Sequence, residues 1–505
     1  MDAGFVVPAS ADGSWRLVDD HAARAQGLVV SPFAHLPEAC ALFLQLPPVC
    51  GGAWLAGLQA VCPVTDASGK TEPASALGLT WTGLQAMGLD DTTLATFSPA
   101  FREGMHQIDR KRRLSDMPKD GTVIEGGPLW SGNTPETFPD PDDPTPIDTP
   151  KTVHAALLLY AANADALAAM LAPVLPVLQQ HGITVSHQLG LSLRFDAEGC
   201  AREHFGFADG LSQPVPEGDA IVSPSGTKLQ HDPLHGIAAG DVLMGHPNAQ
   251  KEPAPGPILR QDRDPTGVLT AGAAPEGFRN LGLDGSYLVI RELRQDVAAF
   301  WKSMDAAIGQ DGRSAEWLAS RVVGRTLDGD LLVPGGTLPR SGDCPDNSFS
   351  FFATDPRGLG CPVGSHIRRA NPRDGLAPNA IAAPDLLAAA QNHRILRRGR
   401  KFGPTIQDPR IDDGAERGLL FMCLNTDLAR QFEFVQQTWM LNANFGCLFN
   451  ETDPLLGPKG RFTVPATPLR FRPTVETFVR FAGGEYFFLP SLPALAYLQS
   501  LHVPV

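Results

Sequence analysis

The sequence predicts an α+β fold built from two copies of one unit, and three observations predict it. Two stretches, Leu157 to Asp165 and Leu419 to Asp427, share an apolar strand, an Asn-x-Asp turn and a following helix. A third strand–helix pair begins at Ser286, where an apolar strand leads into a helix over Glu292–Met304 with Val297, Phe300 and Trp301 on one side. The 505 residues, 43% hydrophobic and 19% charged, suffice for two packed domains.

Taken in order, residues 1 to about 30 are polar and glycine-dotted and read as a loosely packed arm. Ala76 to Met87 reads as a strand and then a short helix. Gly126 to Pro150 is rich in Pro, Asp, Gly and Thr and reads as a long surface loop. Val153 to Ala162 is an apolar strand. In the helix after it, Leu167, Met170, Leu171, Val174, Leu175 and Leu178 form one face, with kinks expected at Pro173 and Pro176. Asp165 and Asp427 are placed to cap the helices of the two copies. Gly190 to Phe195 alternates like a strand. The two halves divide into residues 1–220 and 221–505.

The formal net charge of -14 argues against a nucleic-acid surface, although Arg394, Arg397, Arg398, Arg400 and Lys401 form one basic cluster. The first residues have no signal-peptide pattern, and no apolar run is long and uninterrupted enough for a membrane span, so a cytoplasmic location is expected. Cys40, Cys50, Cys62, Cys200, Cys344, Cys361, Cys423 and Cys447 include no C-x-x-C pair and read as free thiols. Pro233 inside His231-x-x-x-His235 makes a loop the better reading than a helical zinc pair.

Four stretches carry the chemistry. Asp209 stands between Gly206 and Gly210, flanked by Phe205, Phe207 and Leu211. Taken alone it is a turn aspartate bonded to its own backbone. The others are residues 360–374 around His366, 393–404 around Arg397, and 425–439 with Asp427 and Glu433.

Together these resemble the signature regions of dye-decolorising peroxidases, and the resemblance extends to residues 240–248 and 284–301. It implies an α+β fold of two ferredoxin-like domains, antiparallel sheets with peripheral helices, and haem b with its iron bound mainly in the C-terminal domain. It implies His366 as axial iron ligand, its other nitrogen held by a carboxylate. Asp427 is the leading partner for that nitrogen and Glu433 its rival. It also implies Asp209 as the acid that moves a proton between the oxygens of peroxide, and Arg397 as the cation that stabilises the departing hydroxide. Arg368, Arg369 and Arg373, and the remaining basic residues of the 393–404 stretch, are expected to neutralise the haem propionates, and Gly206 and Gly210 to bring backbone close to the porphyrin. Arg400 and Lys401 read better as a solvated loop, Lys401 standing where the family usually has proline. His204 either lines the pocket or packs, and Trp439, Trp301 and Tyr287 are relays or core.

The implied activity is reduction of hydrogen peroxide through a ferryl state, with oxidation of a small organic reductant such as a phenol or an anthraquinone-type dye. A carboxylate base predicts a mildly acidic optimum. The alternative is a haem-binding or haem-handling protein, which would not need Asp209 and Arg397. The oligomeric state stays open, a homo-oligomer included.

Overall fold

A computed structural model describes residues 14–69, 71–132, 151–197, 199–308, 313–338, 347–465 and 470–502. The first half contributes β1 (Glu38–Gln45), α1 (Ala53–Val61), β2 (Ala74–Leu79), β3 (Ala155–Ala161), α2 (Ala164–Gln180) and β4 (Thr184–Ser192). These strands lie in the order β4-β1-β3-β2, every pair antiparallel. The second half repeats the plan with β5 (Ser286–Gln295), α3 (Val297–Ile308), β6 (Arg400–Phe402), β7 (Gly418–Asn425), a helix over residues 429–440 and β8 (Val479–Leu489). Its order, β6-β7-β5-β8, read from the other end as β8-β5-β7-β6, is that of the first half. Each half is a ferredoxin-like βαββαβ unit.

The two sheets join at both edges. Lys401 and Phe402 of β6 pair with Ser192 and Leu191 of β4, and Phe488 of β8 pairs with Leu79 of β2. The eight strands therefore close into a ring, which leaves few unpaired edges. Alternation along β1 explains the two layers around it. Cys40, Leu42 and Leu44 join the cluster that contains Trp54, Leu55 and Leu58 of α1 and Val174 and Leu178 of α2. Ala39, Ala41 and Phe43 face the other way, into a cluster with Ala156, Leu158, Ile290, Met422 and Trp130. We propose that the division between the units falls in the connection from β4 to β5, where a boundary near residue 220 lies.

Several local expectations change. Residues 14 to 30 are no loose arm, because Trp15, Leu17, Ala25 and Leu28 are buried in the second cluster. Arg398 holds the end of that segment by donating to the carbonyls of Leu28 and Val29, and Arg400 holds the chain just after it through those of Pro32, Phe33 and Leu36. Arg400 is thus a buried strand residue and no solvated loop. Helix α2 continues through Pro173 and Pro176, which sit on its exposed side, while Val174 and Leu178 anchor the other. Asn163, and not Asp165, caps it through the Ala166 amide. Strand β5 runs on to Gln295 and the helix starts only at Val297, because β7 and β8 pair with β5 on both sides and hold it extended. Residues 133–150 of the expected long loop lie outside the described residues, while Trp130–Ser131 forms a short strand beside β8.

Candidate active site

A cavity of about 310 Å³ lies against the outer face of the second unit. Its floor follows from strand alternation: Arg291, Leu293 and Gln295 of β5, Leu419 and Phe421 of β7, and Val479 and Phe481 of β8 all line it. Phe432, Val435, Gln436 and Met440 from the 429–440 helix and Leu455 and Leu456 from the following loop add an apolar wall. His366, Asp209, Gly210, Arg397, Arg394, Arg373 and Arg325 supply the polar groups.

His366 opens the short helix α4 (His366–Ala370), which follows Gly364 and Ser365. Its Nδ1 is hydrogen-bonded to Asp453, 3.0 Å from Oδ2 and 3.2 Å from Oδ1. Asp453 is fully buried and also accepts from the amides of Leu455 and Leu456 at 2.9 Å each. Burial opposes charge on the imidazole, but the adjacent carboxylate outweighs it and raises the His366 pKa. The same pairing lowers Asp453 against the raising effect of its own burial. Nδ1 is thereby taken, and Nε2 is the nitrogen left for a ligand.

The partner of His366 is neither acid expected from the sequence. Asp427 caps the 429–440 helix through the Arg430 amide, 3.0 Å away, and pairs with the Arg430 side chain. Glu433 is engaged with Arg110 at 2.5 Å and with the Tyr486 hydroxyl at 2.9 Å. The signal for Asp453 was present but weak: an acid before Pro454, Leu455 and Leu456, in a loop 87 residues from His366.

Asp209 and Arg397 come together across the cavity. Arg397 Nη1 is 3.4 Å from Asp209 Oδ1, and its Nη2 donates to the Ser212 carbonyl at 3.1 Å. The turn reading also holds, since the Gly210 amide donates to Asp209 Oδ1 at 2.6 Å. Gly206 and Gly210 have φ of +102° and +76°, the left-handed region that favours glycine. Gly210 lines the cavity, whereas Gly206 does not, so its requirement is conformational. Gln213, which the sequence did not single out, clamps the arginine: its amide bonds the Arg397 N–H and carbonyl at 3.1 Å each.

The arginines separate into two sets. Arg368 donates to the carbonyls of Asp355 and Cys361 and pairs with the Asp355 side chain at 3.6 Å. Arg369 serves the carbonyls of Trp439, Met440, Asn442 and Glu451. Neither lines the cavity, so the expectation that they meet propionates is corrected: both stitch loops together. Arg373 and Arg394 do line it, and no carboxylate pairs with either among the described residues. Burial, with repulsion from Arg394 and Arg325, pushes Arg373 down to about 9. Burial, with repulsion from Arg397, pushes Arg394 down to about 10. Buried cations without counter-charge mark where an anionic group belongs.

The remaining candidates are accounted for elsewhere. His204 packs away from the cavity with Nε2 on the Phe402 carbonyl at 2.8 Å. Trp301, Tyr287 and Trp439 are buried in the core. His231 pairs with Glu217 and His235 with Asp232, in irregular chain. Seven of the eight cysteines lie among the described residues, and all seven are free thiols. No described helix is long and apolar enough to cross a membrane.

The donor set fits haem: one free imidazole nitrogen, broad apolar walls, and uncompensated cations for two carboxylates. No family model matches the sequence. The multifunctional dye peroxidase DyP2 of an Amycolatopsis species is 31% identical over 376 residues, 70% of this chain and 72% of that protein. The dye-decolorizing peroxidase msp1 of Mycetinis scorodonius is 28% identical over 469 residues, 85% of this chain and 78% of its own. Among solved structures, the Anabaena DyP-type peroxidase superposes with a TM-score of 0.71 at 21% identity, covering 97% of this chain and 99% of that one. A dye-decolorizing peroxidase solved in complex with 2,6-dimethoxyphenol gives 0.66 at 23% identity, over 95% of this chain and 98% of that one. Its relatives, a shared fold and a cavity suited to haem agree: the chain belongs to the dye-decolorizing peroxidases, haem-dependent oxidoreductases that act on peroxide.

Proposed function

We propose that this protein binds one haem b in the cavity, reduces hydrogen peroxide there, and oxidises small organic reductants such as phenols and anthraquinone-type dyes. The observation that carries this reading is the Asp209–Arg397 pair in the same cavity as a carboxylate-backed histidine. A protein that only stores or transfers haem has no need of that pair. The phenol bound to a solved relative supports the reductant class.

His366 would hold the iron through Nε2, and Asp453 would keep its ring oriented and electron-rich. Arg373 and Arg394, with Arg325 beside them, would take the propionates. The haem supplies the redox equivalents. Asp209 then accepts the proton from one peroxide oxygen and returns it to the other. Arg397 stabilises the negative charge that grows on the departing oxygen. A histidine base in this place would be protonated in mild acid; with Asp209 there instead, turnover is expected to be fastest below neutrality.

The test is an absorption spectrum of the purified, haem-loaded protein before and after one equivalent of peroxide. A Soret band that shifts with peroxide and returns with a phenol is the expected result. Absence of the band, or a band that peroxide leaves unchanged, refutes the reading.

A further inference from the structure

We propose that Glu203 is a positioning residue for Asp209, clamping the loop that carries it; this rests on the reading of Asp209 given above. The two Glu203 oxygens embrace Gly206 from both sides. Oε2 accepts from the Phe205 amide at 2.8 Å and Oε1 from the Phe207 amide at 2.9 Å. Gln295, at the end of β5, donates to Oε2 at 2.8 Å and ties this clamp to the sheet. The backbone closes the same small loop, with Gly206 N–H on the Glu203 carbonyl and Glu203 N–H on the Phe207 carbonyl. From there the chain runs two residues to Asp209, whose amide donates to the Ala201 carbonyl at 2.8 Å.

Glu203 is also a wall of the cavity and not only a buried strut, since it lines the same space as Asp209 and Arg397. Burial pushes it up to about 7 against the lowering effect of its three donors, and the Asp209 carboxylate adds to the rise. In its ionised form the Glu203 carboxylate is acceptor-only and matches its three donor neighbours, so the comparison below is made above about pH 7, where that form predominates. Glutamine at this position would turn an NH₂ group toward one of those donors.

The experiment compares E203Q, D209N and the double variant, all haem-loaded, by the stopped-flow rate of the spectral change with peroxide. E203Q is expected to slow that step on the order of tenfold or more, the scale of a misplaced catalytic group. In the D209N background it is expected to change the rate by less than about twofold, because two residues acting through one function are not additive. The KM for the organic reductant stays as in the parent protein. Hydrogen exchange at the Phe205, Phe207 and Gly210 amides, read on the haem-free chain as well, becomes faster in E203Q.

A parent-like rate in E203Q, or the same factor lost with and without Asp209, overturns the proposal. Parent-like rates in D209N itself overturn the reading of Asp209, a separately visible result. If E203Q does not fold, Q295A removes one donor and leaves both loop amides in place. It is expected to show a smaller loss with the same non-additivity, and an additive loss refutes the clamp.

Discussion

His366 Nδ1 lies 3.0 Å from Asp453 Oδ2, with the carboxylate fully buried and held by two amides of its own loop. Asp453 is therefore the group that sets the basicity of the proposed iron ligand. D453N is expected to keep the fold, raise the reduction potential of bound iron and slow peroxide cleavage about 10–100-fold. D427A removes a helix cap and its pairing with Arg430, costing about 0.5–2 kcal/mol of stability and leaving the cleavage rate within roughly twofold. Spectroelectrochemistry and stopped-flow absorption on the two variants distinguish these roles.

Asp209 and Arg397 meet at 3.4 Å and divide proton transfer from charge stabilisation. D209N and R397L should each retain haem, with a parent-like ferric Soret band. Each should lose about 10²–10⁴-fold in the peroxide step. Parent-like turnover in both would refute the mechanism.

Arg394 gives a prediction with opposite signs in two measurements. It lines the cavity with only weak bonds, 3.4 Å to Gln391 Oε1 and 3.5 Å to the Leu234 carbonyl. Without an anion it is a desolvated cation, so R394M should leave the haem-free chain equally or more stable in thermal unfolding. The same change should weaken haem retention by about 10–100-fold, the worth of a charged hydrogen bond. Haem transfer to an acceptor apoprotein measures the second effect.

The cavity floor rests on a buried ion pair, Arg291 with Asp116, at 2.9 and 2.5 Å. Both side chains are almost fully buried. R291M leaves the Asp116 carboxylate without its partner and should cost about 3–5 kcal/mol, read from chemical denaturation. Replacing both residues with apolar ones of similar size should recover most of that loss.

Asp284 joins His21 and His246, accepting from them at 2.8 and 2.7 Å through one oxygen, and pairs with Arg24 through the other. The His21 pKa is raised, chiefly by its bond to Asp284, so its contribution is fully present below about 6.5 and fades as pH rises through the folded value. Asp284, lowered to about 2 by these partners despite burial, contributes above about 3.8 and loses that as pH falls toward 2. The cluster therefore stabilises most between about pH 4 and 6.5. H21A should lower the unfolding temperature more at pH 5 than at pH 8.5.

The repeated strand–turn–helix grammar was enough to read the duplicated α+β units, because apolar periodicity and helix starts are local properties. The signature stretches likewise brought His366, Asp209, Arg397 and Arg373 to the same cavity. What local pattern could not decide was which charged group meets which. Asp453, Asp427 and Glu433 are all acids near apolar runs, and only the packing of the 440–456 loop against α4 puts the first on His366. Arg368 and Arg373 stand five residues apart and both donate to backbone carbonyls, Arg373 to those of Asn347 and Phe349 at 2.6 Å each, yet only Arg373 also lines the cavity. The sequence by itself determined the units and the chemical inventory, since both follow from residue type and spacing. Tertiary structure alone decided the closed ring and the pairing of charges, because both depend on contacts between residues far apart in the chain.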